Sequence, residues 1–440
     1  MMKKIFIRAL LALSLVSLTD LTSCAQTTHN EPSLLKRPKE VIQPHEIGIH
    51  EEQRYIIDSV IDLQGKICVI PTNVTLVFKG GIIKNGALVG QNTRIEYSGL
   101  AFDKVILEGT WICPVIKTSM FADLSYANSL KEVMALVNPE IHNKVIIDEG
   151  KYTVIAQKPA DSCIPVRGNT ELIINGTIEL APNEYGKYYI LHLLGNDISI
   201  RGKGSLRGDR QHHLGTDGQW GFGVYMNNVH RVSISGISIS ECWGDCIYVY
   251  GNSSDILIKN CILSYGRRQG ISITSANNVT IQGCTISHIA GTAPEYAIDI
   301  EPNQNDTVRV VNIKNVTIEE CVGGIKIDGN SPGAYIDIVD VKNCIVSATR
   351  RIPIWFFKCK SAKAEKCDIT GSANIESIAC EDVGMATIKH NTFNSISLMK
   401  EDKKSIVKRL LSREDKERIV IKNCGKTTIR SNWKKNKKTH

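Results

Sequence analysis

Between residues 233 and 394 one short pattern keeps returning: "SISGISI", "IKNCILS", "IQGCTIS", "IKNVTIE" and "VKNCIVS", then "AEKCDIT" and "IKHNTFN". Ile237, Cys261, Cys284, Val316, Cys344, Cys367 and Asn391 stand at one point of it, at spacings of 24, 23, 32, 28, 23 and 24 residues. Short β-branched runs with Asn and Gly between them, repeated at such a period, are the signature of a parallel β-helix, in which each repeat is one coil of a solenoid. The chain is therefore predicted to be all-β. The two long spacings predict loops that bulge from one side. Equivalent positions of successive coils lie about 4.8 Å apart, so Cys261, Cys284, Cys344 and Cys367 are expected to form a buried ladder of free thiols. Their spacings match no zinc pattern. Asn260 and Asn343, just before two of them, read as turn caps with side chains bonded along the stack.

The flanks differ from the coils. Residues 1–23 combine Lys3, Lys4 and Arg8 with an apolar run, as a secretory signal does. "LTSC" at 21–24 resembles a bacterial lipobox, which makes Cys24 a candidate lipidation site and the protein a candidate outer-membrane lipoprotein, periplasmic or at the cell surface; ordinary cleavage nearby is the alternative. Residues 24–50 read as a linker, 51–120 as a small β region and 121–424 as the β-helix. "SYANSLKEVMALVN" (125–138) has helical spacing and is expected to cap the first coil. "KKSIVKRLLSREDKER" (403–418) reads as a second, polar helix. The formal charge of +8 is concentrated at the ends: six bases lie in 425–440, read as a disordered basic tail, and a net two in the leader. The body is near neutral, which argues against nucleic acid as a partner.

A second register aligns Tyr225, Tyr248, Ser272, Asp299 and Lys326 at spacings of 23, 24, 27 and 27, with Asn227, Tyr250, Thr274, Glu301 and Asp328 two residues on. Val224, Ile247, Ile271, Ile298 and Ile325 face inward, so both columns are expected to face solvent. Arg268 and Glu295 stand further back. Within "EYAIDIEPN" (295–303), Glu295, Asp299 and Glu301 alternate with apolar residues. Carboxylates two apart on a strand, or on adjacent rungs, have the separations that glycoside hydrolysis uses, and neighbouring Lys326 and Asp328 would shift their proton affinities. Charged columns on a solvated sheet are often no more than solvated, but here the acids cluster in one rung, tyrosines lie beside them and loops lengthen on both sides of that rung. Tyr248 is placed to stack on a sugar. No cofactor is implied, although Asp299, Glu301 and Asp328 offer oxygen ligands for calcium.

"GDCIYVYGNSSDILIKNCILSYGRRQGISI" (244–273) and "GIKI" (324–327) resemble motifs of the polygalacturonases, glycoside hydrolase family 28, in the pectin-lyase-like superfamily. The resemblance implies a right-handed, single-stranded, pectate-lyase-like parallel β-helix, with Asp245 as a catalytic acid and Lys326 as the family's lysine. Gly244, Gln269 and Gly324 stand where that family has aspartate, histidine and arginine, which leaves Asp299 and Glu301 as the carboxylates able to replace its acids. The catalytic candidates are thus Asp245, Asp299, Glu301 and Lys326, and the binding candidates Arg267, Arg268, Gln269, Tyr248, Glu295, Asp328, Asp209 and Arg210. The last two lie in "RGDRQHHLGTDGQW" (207–220), a loop expected to lead into the same face. The expected activity is cleavage of a polysaccharide, by hydrolysis with the acids, or by a lyase with Lys326 as base and Arg267 or Arg268 neutralising a uronate. Uronate epimerisation and glycan binding without turnover are the other readings.

Overall fold

In the computed structural model, residues 34–50, 53–372, 375–396, 419–430 and 432–434 are described. Three long sheets carry the repeat. Each regular coil gives one strand to each sheet, and every strand pairing is parallel, as in Tyr225↔Tyr248 on the first sheet, Val232↔Ile256 on the second and Leu206↔Ile239 on the third. The sheets contain 10, 12 and 11 strands. A separate six-stranded parallel sheet, from Val41–Ile42 to Phe102–Ile112, precedes them. The short helix α1 (Ser129–Ala135) packs against Phe102–Ile112 and Asp161–Arg167, and Leu130, Val133 and Met134 are buried in the core. The helix expected at 403–418, the leader and Cys24 lie outside the described residues.

One corner recurs from coil to coil with the same backbone conformation. Gly236, Asn260, Gly283, Asn315, Asn343, Lys366 and His390 all have φ between 52° and 75°, the left-handed region that Gly and Asn enter at least cost. The N–H of each bonds the carbonyl of the following coil, as Asn260 does to Gln282 and Asn343 to Glu365. It is thus the backbone of Asn260 and Asn343, rather than their side chains, that bonds along the stack. A Cβ on Gly283 would lie 2.4 Å from the Asn260 Oδ1 atom, so a larger residue there requires the Asn260 side chain to move. The residue after the corner points inward, and Cys261, Cys284, Cys344 and Cys367 form the expected ladder, each buried as a free thiol. Their Sγ atoms lie 3.6–3.9 Å from carbonyls of the preceding coil, which accept weak bonds from them. The basic tail departs from expectation. Lys426–Arg430 is a strand paired with Met385–Lys389, because "KTTIR" continues the alternation of the coils. The linker also contains structure, a 3-10 turn at Pro44–Ile47.

Candidate active site

Five strands of the first sheet position the site: β1 (Trp220–Asn227), β2 (Ile247–Tyr250), β3 (Ile271–Ile273), β4 (Tyr296–Ile300) and β5 (Gly323–Asp328). Their inward residues Val224, Ile247, Ile271, Ile298 and Ile325 fix the register. It brings Tyr225, Tyr248, Ser272, Asp299 and Lys326 onto adjacent rungs, as the spacings predict. The column is not solvated, however. Ser272 is 2 % exposed, Asp299 1 % and Lys326 6 %. The outer residues of β3 and β4 are buried like the inner ones, so both faces of these strands are covered.

Beneath that cover the polar groups are wired together. Arg268 Nη1 donates to Asp245 Oδ2 at 2.9 Å and to Gln269 Oε1 at 2.7 Å. Ser272 Oγ donates to Asp245 Oδ2 at 2.7 Å and also lies against Gln269 Oε1. Gln269 Nε2 donates to Asp299 Oδ2. Burial pushes the Asp245 carboxyl up to about 6, although Arg268 and Ser272 pull the other way. Burial also raises Asp299 well above the usual carboxylate range; Lys326 opposes this, while the charge of Glu301 and a hydrogen bond to it add to the rise. Lys326 Nζ lies 2.9 Å from Asp328 Oδ2 and 3.6 Å from Glu301 Oε1. Burial works against its ammonium, but Asp299, Asp328 and Glu301 more than compensate and hold it above its ordinary value. That cation fills the place expected for calcium. Among the described residues no group of three His, Cys, Asp or Glu side chains is placed to hold a metal ion.

A shallow cleft of about 230 Å³ opens over this network, smaller than an enclosed ligand pocket and suited to an open groove. Glu301, whose side chain is 38 % exposed, lines it with Arg268, Tyr248 and Thr274. Of the four catalytic candidates only Glu301 reaches the cleft; Asp245, Asp299 and Lys326 lie behind it. Of the binding candidates Arg268 and Tyr248 reach it, Gln269 is buried below, and Asp328 is engaged by Lys326. Four binding candidates do not line the cleft, for local reasons. Glu295 has φ 60° and belongs to the turn before β4, where it accepts from Gly291 N–H and Arg351 Nη2. Asp209 is buried, accepting from Asn183, Tyr188 and His213, and Arg210 donates to the Tyr265 carbonyl. Arg267 lies 3.7 Å over the Trp243 ring and donates to the Gly218 carbonyl.

One face of Tyr248 is taken within the protein: Phe222 stacks on it at 4.5 Å and 9°, as Tyr189 and Tyr225 stack at 4.1 Å and 9°. Its hydroxyl accepts from Thr274 Oγ1 at 3.2 Å. Trp220, Asn303 and Ser331 complete the cleft. The last two sit in loops after β4 and β5, which the long spacings announced without naming a residue. Trp355, on the rung beyond Lys326, carries the column on. Its ring centre lies 6.0 Å from Lys326 Nζ, and extending the register by one more coil finds it.

Comparison with known proteins agrees with this class of architecture. Residues 189–338 match the family model described as a right-handed β-helix region. Two Bacillus subtilis (strain 168) proteins are similar in sequence. One is the SPbeta prophage-derived uncharacterized protein YorA, 27 % identical over 182 residues, 36 % of this chain and 31 % of YorA. The other is the uncharacterized protein YclG, 31 % identical over 191 residues, 36 % of this chain and 32 % of YclG. The match thus spans about a third of each relative. Among solved structures, the tailspike protein of E. coli bacteriophage HK620 superposes with a TM-score of 0.44 at 14 % identity, covering 67 % of this chain and 60 % of that one. The A-module of the Azotobacter vinelandii mannuronan C-5 epimerase AlgE6 does so with 0.39 at 13 %, covering 67 % and 91 %.

Proposed function

We propose that the protein cleaves a uronate-containing polysaccharide by hydrolysis in the cleft over β2 to β5, as a glycosidase of polygalacturonase-like type. The observation that carries the reading is the placement of Glu301. It faces the cleft beside Arg268, while burial and the charge of Glu301 raise the proton affinity of Asp299 behind it. The pair can pass one proton toward a leaving glycosidic oxygen and recover it from water. Arg268, anchored by Asp245, is set to take the carboxylate of a uronate. A lyase would need a neutral base, and Lys326 is a poor one because Asp328 at 2.9 Å and Glu301 at 3.6 Å favour its ammonium. In this reading α1 covers the first coil, and lipid on Cys24, indicated by "LTSC" after a basic and apolar leader, fixes the protein to the outer membrane.

The test is a panel of acidic and neutral polysaccharides followed both for new reducing ends and for the ultraviolet absorbance of unsaturated uronates. Reducing ends without absorbance are expected, and Glu301→Gln should lower kcat by roughly a hundredfold or more. Absorbance, or a Glu301→Gln protein with unchanged rates, refutes the proposal.

A further inference from the structure

Taking the cleft as the glycan site, a second contact in it can be assigned from the chain that leads into β1. The stacked rings of Tyr189, Phe222, Tyr225 and Tyr248 cover one another's faces. Trp220 is different: it lines the same cleft as Glu301 and Arg268, and it is 45 % exposed. An indole of that size left open to water at the rim of a polar cleft is costly unless something apolar lies on it.

The backbone that carries Trp220 is held in place from several sides. The backbone N–H of Trp220 bonds the Gly186 carbonyl at 2.9 Å. Two residues earlier, Arg267 Nη1 bonds the Gly218 carbonyl at 3.0 Å while its guanidinium lies on Trp243. Trp243 in turn stacks at 3.9 Å on His213, whose Nδ1 bonds the buried Asp209 at 2.7 Å. Gly244 packs directly under the peptides on both sides of Trp220. A Cβ there would lie 2.5 Å from the Gln219 carbonyl oxygen and 3.1 Å from the Gly221 nitrogen. Position 244 therefore has no room for any larger side chain while the chain at 219–221 runs where it does.

We propose that Trp220 forms a sugar-stacking subsite, taking the apolar C–H face of a pyranose ring next to the residue whose bond is cleaved, and that Gly244 is a positioning residue for it. The subsite rests on the glycan reading of the cleft but is separable from its chemistry. Affinity electrophoresis through gels containing sodium polygalacturonate, sodium alginate or sodium hyaluronate measures binding without turnover when Glu301→Gln is the parent protein. We expect retardation by at least one polymer. On that polymer Trp220→Ala should weaken binding about tenfold, equivalent to about 1.4 kcal/mol, while Trp220→Tyr, which keeps an aromatic face, should stay within about threefold of the parent. Gly244→Ala should reproduce the loss without touching the ligand. If that variant does not fold, the Trp220 pair decides alone. Retardation by none of the three polymers, or equal retardation of Trp220→Ala and its parent, overturns the subsite. Retardation that Trp220→Ala abolishes, in a protein that turns over none of the polymers, supports the subsite while refuting the hydrolase.

Discussion

Replacing Asp245 by Asn tests whether the network behind the cleft stores a proton. Asp245 is wholly buried, and burial raises its carboxyl from the ordinary 3.8 to about 6 even with Arg268 2.9 Å away. A group whose folded-state value lies above its unfolded one stabilises the fold while protonated. That contribution is fully present below about pH 4 and is lost as the pH rises through about 6. At 1.36 kcal/mol for each pH unit between the two values, the loss amounts to about 3 kcal/mol. The amide of Asn keeps the shape and an acceptor for Ser272, but it cannot titrate. It also leaves Arg268 without its anion, a cost that is the same at every pH below the arginine range and so cancels when two pH values are compared. Urea unfolding of both proteins, followed by far-ultraviolet circular dichroism at about pH 4 and about pH 7, gives the required difference of differences. The wild type should lose about 3 kcal/mol more than the variant over that interval. Parallel behaviour of the two proteins would mean that Asp245 is ionised throughout in the folded state, and the raised carboxyl would be refuted.

Tyr248→Phe should leave substrate affinity nearly unchanged and Tyr248→Ala should destabilise the fold by about 3–5 kcal/mol, because the ring is packed in a stack rather than offered to ligand; a selective loss of affinity in the Ala variant, with unaltered melting, would restore the sugar-stacking role. Alkylation of the native protein with a small reagent should modify Cys424, the half-buried thiol, well before the twelve buried ones of the described chain, and denaturation without reductant should expose them all; a majority found oxidised would contradict the ladder. Cys24→Ser should move the protein from the membrane fraction to the soluble one, and its retention in the membrane would exclude the lipid anchor.

How far the site was legible in the sequence depends on which neighbour makes each contact. The rung partners of Asp299 are Ser272 and Lys326, one coil away in either direction, and the repeat alone identifies them because inward Ile271, Ile298 and Ile325 tie the register. The same alternation places Ser272, Asp299 and Lys326 on the outer side of their strands. It says nothing of what lies over that side, since groups such as Gln269, which donates to Asp299, come from loops between the strands. Their lengths are visible in the spacings and their paths are not. The misread residues are accordingly loop or turn residues, or residues under loops: Glu295 turned away to Arg351, Arg267 drawn onto Trp243, Asp209 buried against Tyr188, and Asp299 enclosed where solvent was expected. The enclosure gives the site its chemistry. Lys326 alone would lower the proton affinity of an Asp299 on an open sheet, whereas burial raises it against that lysine's pull. The departure from the repeat therefore shifts the Asp299 carboxyl in the direction that acid catalysis beside Glu301 requires.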